Sequence, residues 1–277
     1  MITLFQAIVL GALQGITELF PISSLGHSVI LPSILGWDSL QQDPYFLNFL
    51  VGTHLATAIV LIGFYWNDWI KIAQGFFRSL AQRTIPQQDP DAKLAWLLIV
   101  GTIPTGILGL LFEHKLRTLF AIPSYSALFL LINGIMLYIA ELIPKKTGSN
   151  IQHITWKQAF GVGCAQIIAL FPGFSRTGAT ITGGLASGLT HADALHYSFL
   201  LATPIIFAAS LLKLPRLIYG AGTHALIPTI IGAIAAGLAA YISIRYLTNF
   251  LKTNTLKPFA IYCMAAGLLA SIILLIR

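Results

Sequence analysis

Charged side chains are scarce in this chain. Lys, Arg, Asp and Glu together make up 9% of its 277 residues, where soluble domains carry roughly 25%. That shortage, beside 56% hydrophobic residues, excludes an ordinary soluble domain and marks an integral membrane protein. Acidic residues are scarcer than basic ones, 9 against 16. The resulting net charge of +7 comes from basic residues scattered between apolar stretches, which is a topology signal and not a nucleic-acid footprint. Only two cysteines occur, Cys164 and Cys263. Both sit in apolar runs, so they read as small core residues and say nothing of redox compartment. His114, His153, His191 and His224 lie in or near loops at spacings that suggest no metal site. No basic region precedes Met1–Thr17, so that stretch is expected to stay in the mature protein.

Long charge-free runs are present instead: Pro44–Asn67, Leu94–Phe112, Thr118–Ala140, Ala194–Leu212, Leu217–Ile244 and Pro258–Ile276. Each is close to or above the roughly 18–20 residues that span a bilayer as a helix. The runs are continuous rather than alternating, which excludes an outer-membrane barrel. Two polar segments interrupt this pattern, and each contains Leu-Phe-Pro. One runs from Glu18 through Pro21 to His27, the other from Leu170 through Pro172 to Thr180.

The two segments belong to matching halves. Gln6-Ala7, Gly11 and Gln14 recur as Gln158-Ala159, Gly163 and Gln166, and Ser23 and Gly26 recur as Ser175 and Gly178. Phe49-Leu50-x-x-Thr53 recurs as Phe199-Leu200-x-x-Thr203, and Gly101 with Gly106 as Gly232 with Gly237. We read a single membrane domain, 1–277, built of repeats 1–145 and 152–277. In each repeat the motif region is too short and broken for two full spans, so it predicts a re-entrant helical hairpin turning at the proline, followed by three transmembrane helices. Three spans is an odd number, so the second repeat is expected to be inverted and the hairpins to meet near the midplane. Lys71, Arg78, Arg83, Lys93, Lys145, Lys146, Lys157, Lys252 and Lys257 then fall on one face, against Lys115, Arg117, Lys213, Arg216 and Arg277. The positive-inside rule puts the first set in the cytoplasm and both termini outside. Trp66–Arg83 reads as an interfacial amphipathic helix.

Ionisable groups inside a membrane are expensive and mark functional sites. Gln14 and Glu18, four apart, share one helical face and suit a divalent cation through oxygen ligands. Ser23, Ser24 and His27 follow Pro21, with spacings that set a hydroxyl beside an imidazole as nucleophile and base. Arg176, after the Pro172-Gly173 turn and among Ser175, Thr177 and Thr180, makes an anion site for phosphate at a half-helix start. An Arg176–Glu18 pair that locks the hairpins together is the structural alternative. His54, His196 and Arg245 lie in spans, where lining a cavity is one reading and packing or snorkelling the preferred one, and Thr190 with Asp193 forms a capping box.

Gln14-x-x-x-Glu18, Ser23-Ser24-x-Gly26-His27 and Pro172-Gly173-Phe174-Ser175-Arg176-Thr177-Gly178-Ala179-Thr180 resemble the signature motifs of the bacterial undecaprenyl-diphosphate phosphatases, the bacitracin-resistance family. The resemblance covers essentially the whole chain. Gln14 stands where many members carry Glu, which puts a two-carboxylate metal site in doubt, and Thr177 replaces a Ser while keeping the hydroxyl. The resemblance implies hydrolysis of a C55 polyprenyl diphosphate to the monophosphate. That reaction recycles the lipid carrier for cell-wall synthesis and confers bacitracin resistance. It implies a multi-pass inner-membrane protein working at the outer leaflet with Mg2+ or Ca2+, and a homodimer. For that reaction we assign Glu18, Ser24, His27 and Arg176 to catalysis, Ser23, Gly173, Ser175, Thr177 and Thr180 to the substrate, and Glu18 and Gln14 to the cation. Ser24 is the preferred nucleophile with His27 as its base, and direct water attack, Glu18 as the base and a phospho-His27 intermediate stand as alternatives. A polyprenyl-phosphate transporter on the same inverted-repeat plan stands as the alternative.

Overall fold

Thr3 and Gln6 cap each other's backbone at the head of the first helix, and Thr155 and Gln158 do the same at the head of its counterpart. These capping boxes satisfy N–H groups that a helix end leaves open. The computed structural model describes residues 2–41, 45–86, 88–120, 122–143, 150–220 and 223–276. Lys145, Lys146 and Arg277 of the charge count lie outside the described residues, as do the side chains of His114, Lys115, Arg117, Lys213, Arg216 and His224.

Among the described residues the chain is helical, with no strand. Helix α1 is Leu4–Leu19 and α2 is Ser24–Ile34. At 16 and 11 residues they reach about 24 and 17 Å at 1.5 Å per residue, each short of the roughly 30 Å hydrocarbon core. A short turn of helix, α3 (Asp38–Gln41), precedes α4 (Phe46–Phe64) and α5 (Trp66–Gln82). The axis bends by 81° at Tyr65, where an apolar helix gives way to an amphipathic one. Helix α6 is Pro90–Phe120 and α7 is Pro123–Ala140. The second half holds α8 (Trp156–Gln166), α9 (Arg176–Ala186), α10 (His191–Gly220), α11 (Thr223–Phe250) and α12 (Lys257–Ile276). Pro90–Phe112, Pro123–Ala140, His191–Leu212, Leu226–Phe250 and Lys257–Ile276 are long and apolar enough to cross a membrane, and α4 with α5 makes a sixth candidate. The protein is therefore an all-α, multi-pass membrane protein.

Helix α5 is held against α6 at its polar end. Arg78 forks onto Asp89 at 3.0 and 3.1 Å, and Trp96 Nε1 donates to Ser79 Oγ at 2.9 Å. Asp89 also accepts from the Ala92 N–H, and these donors, the backbone one first, hold its carboxyl below the usual range.

Small residues bring the two halves together. A side chain at Gly11 would strike the Gly232 backbone, and one at Gly163 would strike the Gly101 backbone. Gly11 corresponds to Gly163 and Gly101 to Gly232, so α1 packs on α11 as α8 packs on α6. Close backbone approach at small residues is the usual means of packing helices in lipid, where no hydrophobic force drives them together.

Candidate active site

The two proline turns touch. A Cβ on Gly26 would lie 2.9 Å from the Gly173 Cα. Gly173 has φ +106°, a region only glycine enters at low cost, and its bare α-carbon lies against the Ser126 carbonyl of α7. Each turn then opens a half-helix with the same device: Ser23 Oγ accepts from Gly26 N–H at 3.2 Å, and Ser175 Oγ from Gly178 N–H at 3.0 Å. Ser23 adopts φ +70°, unusual for a residue with a side chain.

Asn133 of α7 staples the turns together. Fully buried, its Nδ2 donates to the Pro21 carbonyl at 3.0 Å and its Oδ1 accepts from the Ser175 N–H at 3.0 Å. Two further bonds cross between the turns. Thr177 Oγ1 donates to the Glu18 carbonyl at 3.0 Å, and Ser175 Oγ to that of Phe20 at 3.4 Å.

Above this crossing lies a cavity of about 310 Å³. Its polar floor is Glu18, Ser23, Ser24, His54, Ser175 and Arg176; Leu50, Leu170, Phe174, Ile205 and Ile206 contribute apolar wall. Glu18 is the hub. Its Oε1 accepts from Arg176 at 2.9 Å, and its Oε2 from Ser24 Oγ at 2.5 Å and Gln14 Nε2 at 3.0 Å. His54 Nε2 stands 3.4 Å from the same Oε2. The His54 Nδ1–H donates to the Leu50 carbonyl at 2.7 Å, which fixes the ring and aims Nε2 at the carboxylate. The Arg176 guanidinium has Nη2 committed to Glu18 while Nη1, buried at the cavity wall, has no partner among the described residues. Ser24 and Arg176 each begin a half-helix, so two positive helix ends converge on a site that also holds a guanidinium. That arrangement suits an anion.

The structure thus brings Glu18, Ser24, Ser23, Ser175 and Arg176 together around one cavity, across more than 150 residues of sequence. It does not bring His27 to Ser24. The His27 Nδ1–H donates to the Ser23 carbonyl at 2.7 Å, and Nε2 takes the Tyr262 hydroxyl at 2.8 Å. With both nitrogens engaged behind the turn, His27 is not placed as the base for Ser24. Thr177, Thr180 and Gly173 also lie off the cavity. Thr180 Oγ1 donates within its own helix and meets Ser198 Oγ at 2.5 Å, so these three build the turn and anchor α9. Gln14 sits behind Glu18 with its donor end toward the carboxylate, which leaves its buried Oε1 without a partner.

Sequence reasoning missed Asn133, and it ranked packing above a cavity position for His54, which the structure places on the cavity. The signal for His54 was available, since an ionisable side chain in a charge-free run is a functional candidate by default. His196, also assigned to packing, pairs with Asp68 at 2.9 Å and stacks on Tyr65 at the α4–α5 bend. Arg245 lies on a surface groove of α11 with Tyr241 and Asn249.

Among the described residues no group of three or more His, Cys, Asp or Glu is placed to hold a metal. The one carboxylate of the cavity and the unpaired Gln14 oxygen are hard donors that suit Mg2+ or Ca2+. Mg2+ commonly binds through one or two carboxylates plus substrate phosphates, so these residues fit a cation shared with a phosphorylated ligand rather than a preformed cage.

Residues 7–269 match the family model for the bacitracin resistance protein BacA. The chain is 43% identical to an undecaprenyl-diphosphatase of Mycolicibacterium paratuberculosis, over 95% of this chain and 94% of that one. It is 38% identical to undecaprenyl-diphosphatase 2 of Frankia alni, over 98% of each. It is 42% identical to undecaprenyl-diphosphatase 2 of Burkholderia ambifaria, over 96% of this chain and 95% of its relative. With motifs, helices and cavity in agreement, the chain belongs to the BacA bacitracin resistance family.

Proposed function

We propose that this protein is an undecaprenyl-diphosphatase: it hydrolyses a C55 polyprenyl diphosphate to the monophosphate and inorganic phosphate, returning the lipid carrier to cell-wall synthesis. The observation that carries the proposal is Ser24 Oγ held 2.5 Å from the Glu18 carboxylate, which also holds Arg176, in a cavity with an apolar wall. The names of the relatives support the same activity.

The residues divide the work. Glu18 and His54 orient Ser24 and draw off its proton, so that Oγ attacks the terminal phosphorus. The bond to the bridging oxygen breaks and polyprenyl monophosphate leaves. Water then attacks the phosphoserine, phosphate is released, and Ser24 Oγ recovers a proton. Arg176 Nη1 and the N-termini of α2 and α9 stabilise the charge spreading over the phosphoryl oxygens. Glu18, with Gln14 behind it, would hold the divalent cation, which when bound would neutralise phosphate charge.

We also read the two halves as inverted repeats whose short helix pairs re-enter the membrane from opposite faces, in support of which stand the reciprocal glycine contacts. The charge asymmetry supports an inner-membrane protein whose cavity serves the outer leaflet, and the family resemblance supports a homodimer. A transporter would need Arg176 but has no use for a serine poised on a carboxylate. Phosphate release from a polyprenyl diphosphate by the purified protein, compared with Ser24→Ala and Arg176→Ala, decides between them. Turnover that Ser24→Ala abolishes supports the phosphatase. Lipid binding without any phosphate release by the wild type would establish the carrier.

A further inference from the structure

The cavity wall contributed by the second half holds a polar side chain that the mechanism above does not use. Gln166 closes α8, has none of its surface exposed to solvent, and lines the same cavity as Glu18 and Arg176. Neither its Oε1 nor its Nε2 has a partner. A buried carboxamide with no partner is costly to keep, and such exceptions call for a reason of their own.

The internal repeat shows why this amide is free. Gln166 corresponds to Gln14, which donates to the carboxylate of Glu18 four residues on. Four residues beyond Gln166 stands Leu170, which offers nothing to bond. Helix α8 is also fixed in place. Near its end Gly163 rests on the Gly101 backbone and Thr105 Oγ1 donates to the Gly163 carbonyl at 3.0 Å, and at its start Gln158 Nε2 donates to the Ser187 carbonyl at 2.7 Å. With its helix held in this way, the amide has a guest in the cavity as its available partner.

We propose that Gln166 is a substrate-binding residue that reads the diphosphate. Its N–H groups donate to non-bridging oxygens of the lipid-proximal phosphoryl group, while Arg176 and the Ser24 hydroxyl engage the terminal one that is transferred. Leu170 and Ile205 line the same cavity as Gln166 and offer apolar surface to a polyprenyl chain, and on that footing the proposal sets Gln166 beside the phosphoryl group that carries the lipid. The inference rests on the phosphatase reading, because it assigns the two phosphoryl groups by which of them is transferred.

The test is Gln166→Leu, which keeps the size of the side chain and removes the amide. Two readouts are needed: thermal stability in detergent, and the shift in Tm caused by a non-hydrolysable methylene-bridged analogue of farnesyl diphosphate. The expected variant is as stable as the wild type or more so, since it loses no protein partner. Its Tm shift with the analogue needs about 10- to 100-fold more ligand, the loss expected for a hydrogen bond to a charged group. KM for farnesyl diphosphate rises accordingly, with kcat within about threefold. Unchanged analogue binding overturns the proposal, and so does a fall in Tm, which would reveal a structural amide. A wild type that binds the analogue but releases no phosphate from farnesyl diphosphate defeats the phosphatase reading and the phosphoryl assignment. Gln166 then stands or falls as a diphosphate ligand on the Tm shift alone.

Discussion

Removing the carboxamide of Asn133 should loosen both turns at once. Asn133 bonds the backbone of each from a third helix, taking the Ser175 N–H and giving to the Pro21 carbonyl, both at 3.0 Å in full burial. Asn133→Ala leaves the Ser175 N–H unpaired and the Pro21 carbonyl with only the weak Cys263 thiol at 3.9 Å, and each unpaired buried group costs about 1–3 kcal/mol. We expect a loss of about 3 kcal/mol, because the turns relax enough to recover part of it. In a chain of this size that is a fall in Tm of roughly 6–12 °C. Turnover should suffer more than stability. Ser175 directly precedes Arg176, and Pro21 lies three residues before Ser24, so slack at the staple becomes misalignment of guanidinium and hydroxyl. A displacement of about 1 Å in a catalytic geometry costs on the order of 100-fold. Asn133→Asp should be no better: it keeps an acceptor for Ser175 but turns an oxygen toward the Pro21 carbonyl. Thermal unfolding in detergent and steady-state phosphate release measure the two effects. An Asn133→Ala protein with wild-type Tm and turnover within about threefold would refute the assignment of this residue as the staple.

Gly173→Ala places a methyl group where φ is +106° and the Ser126 carbonyl already stands. A loss of about 3 kcal/mol or more is expected, seen as aggregated material by size exclusion. His27→Ala should lower Tm and turnover together, because the ring braces the Ser23 carbonyl against Tyr262; lost turnover at unchanged Tm would mark His27 as a base after all. Glu18→Gln strips the charge from the partner of Arg176 and should cost about 3–5 kcal/mol as well as turnover, a loss that added cation does not restore. Chelation with EDTA should stop phosphate release and Mg2+ restore it, and Gln14→Glu should lower the half-saturating cation concentration about tenfold by adding a ligand charge. Equal cation dependence in Gln14→Glu and the wild type would remove Gln14 from the cation site.

Composition and charge-free runs carried the helical membrane architecture, because lipid leaves a backbone few alternatives. The gathering of Glu18, Ser24 and Arg176 was legible for a related reason: polar groups inside apolar sequence are too costly to be scattered without purpose. Orientation within the site was not legible. His27 and Ser24 are three apart and share a helical face, yet the imidazole found the Ser23 carbonyl of its own turn and a tyrosine 235 residues away. Thr177 and Thr180 carry the hydroxyls of a phosphate motif, but helix phase turns them toward the Glu18 carbonyl and Ser198. His54 and Asn133 reach the site from α4 and α7, helices whose crossing points depend on close packing and not on local spacing. Such tertiary neighbours leave no periodic trace in a sequence.

The correspondence between the halves separates scaffold from chemistry by position. Residues that shape the two turns are alike: Thr3 and Thr155 in capping boxes, Gly11 and Gly163 at the crossings, Ser23 and Ser175 as half-helix caps. The pairs that carry charge or the attacking hydroxyl have diverged, with Glu18 matched by Leu170 and Ser24 by Arg176. Electrostatics gives the reason. The turns are in contact, so a symmetric site would set two carboxylates, or two guanidinium groups, within a few ångströms of each other in a low-dielectric cavity. Like charges at that range disfavour both ionised states. One carboxylate facing one guanidinium satisfies both, and it leaves a single hydroxyl on the carboxylate to act on whatever the guanidinium holds. Gln14 and Gln166 remain identical in type but differ in bonding, because only one of them has a carboxylate to answer it.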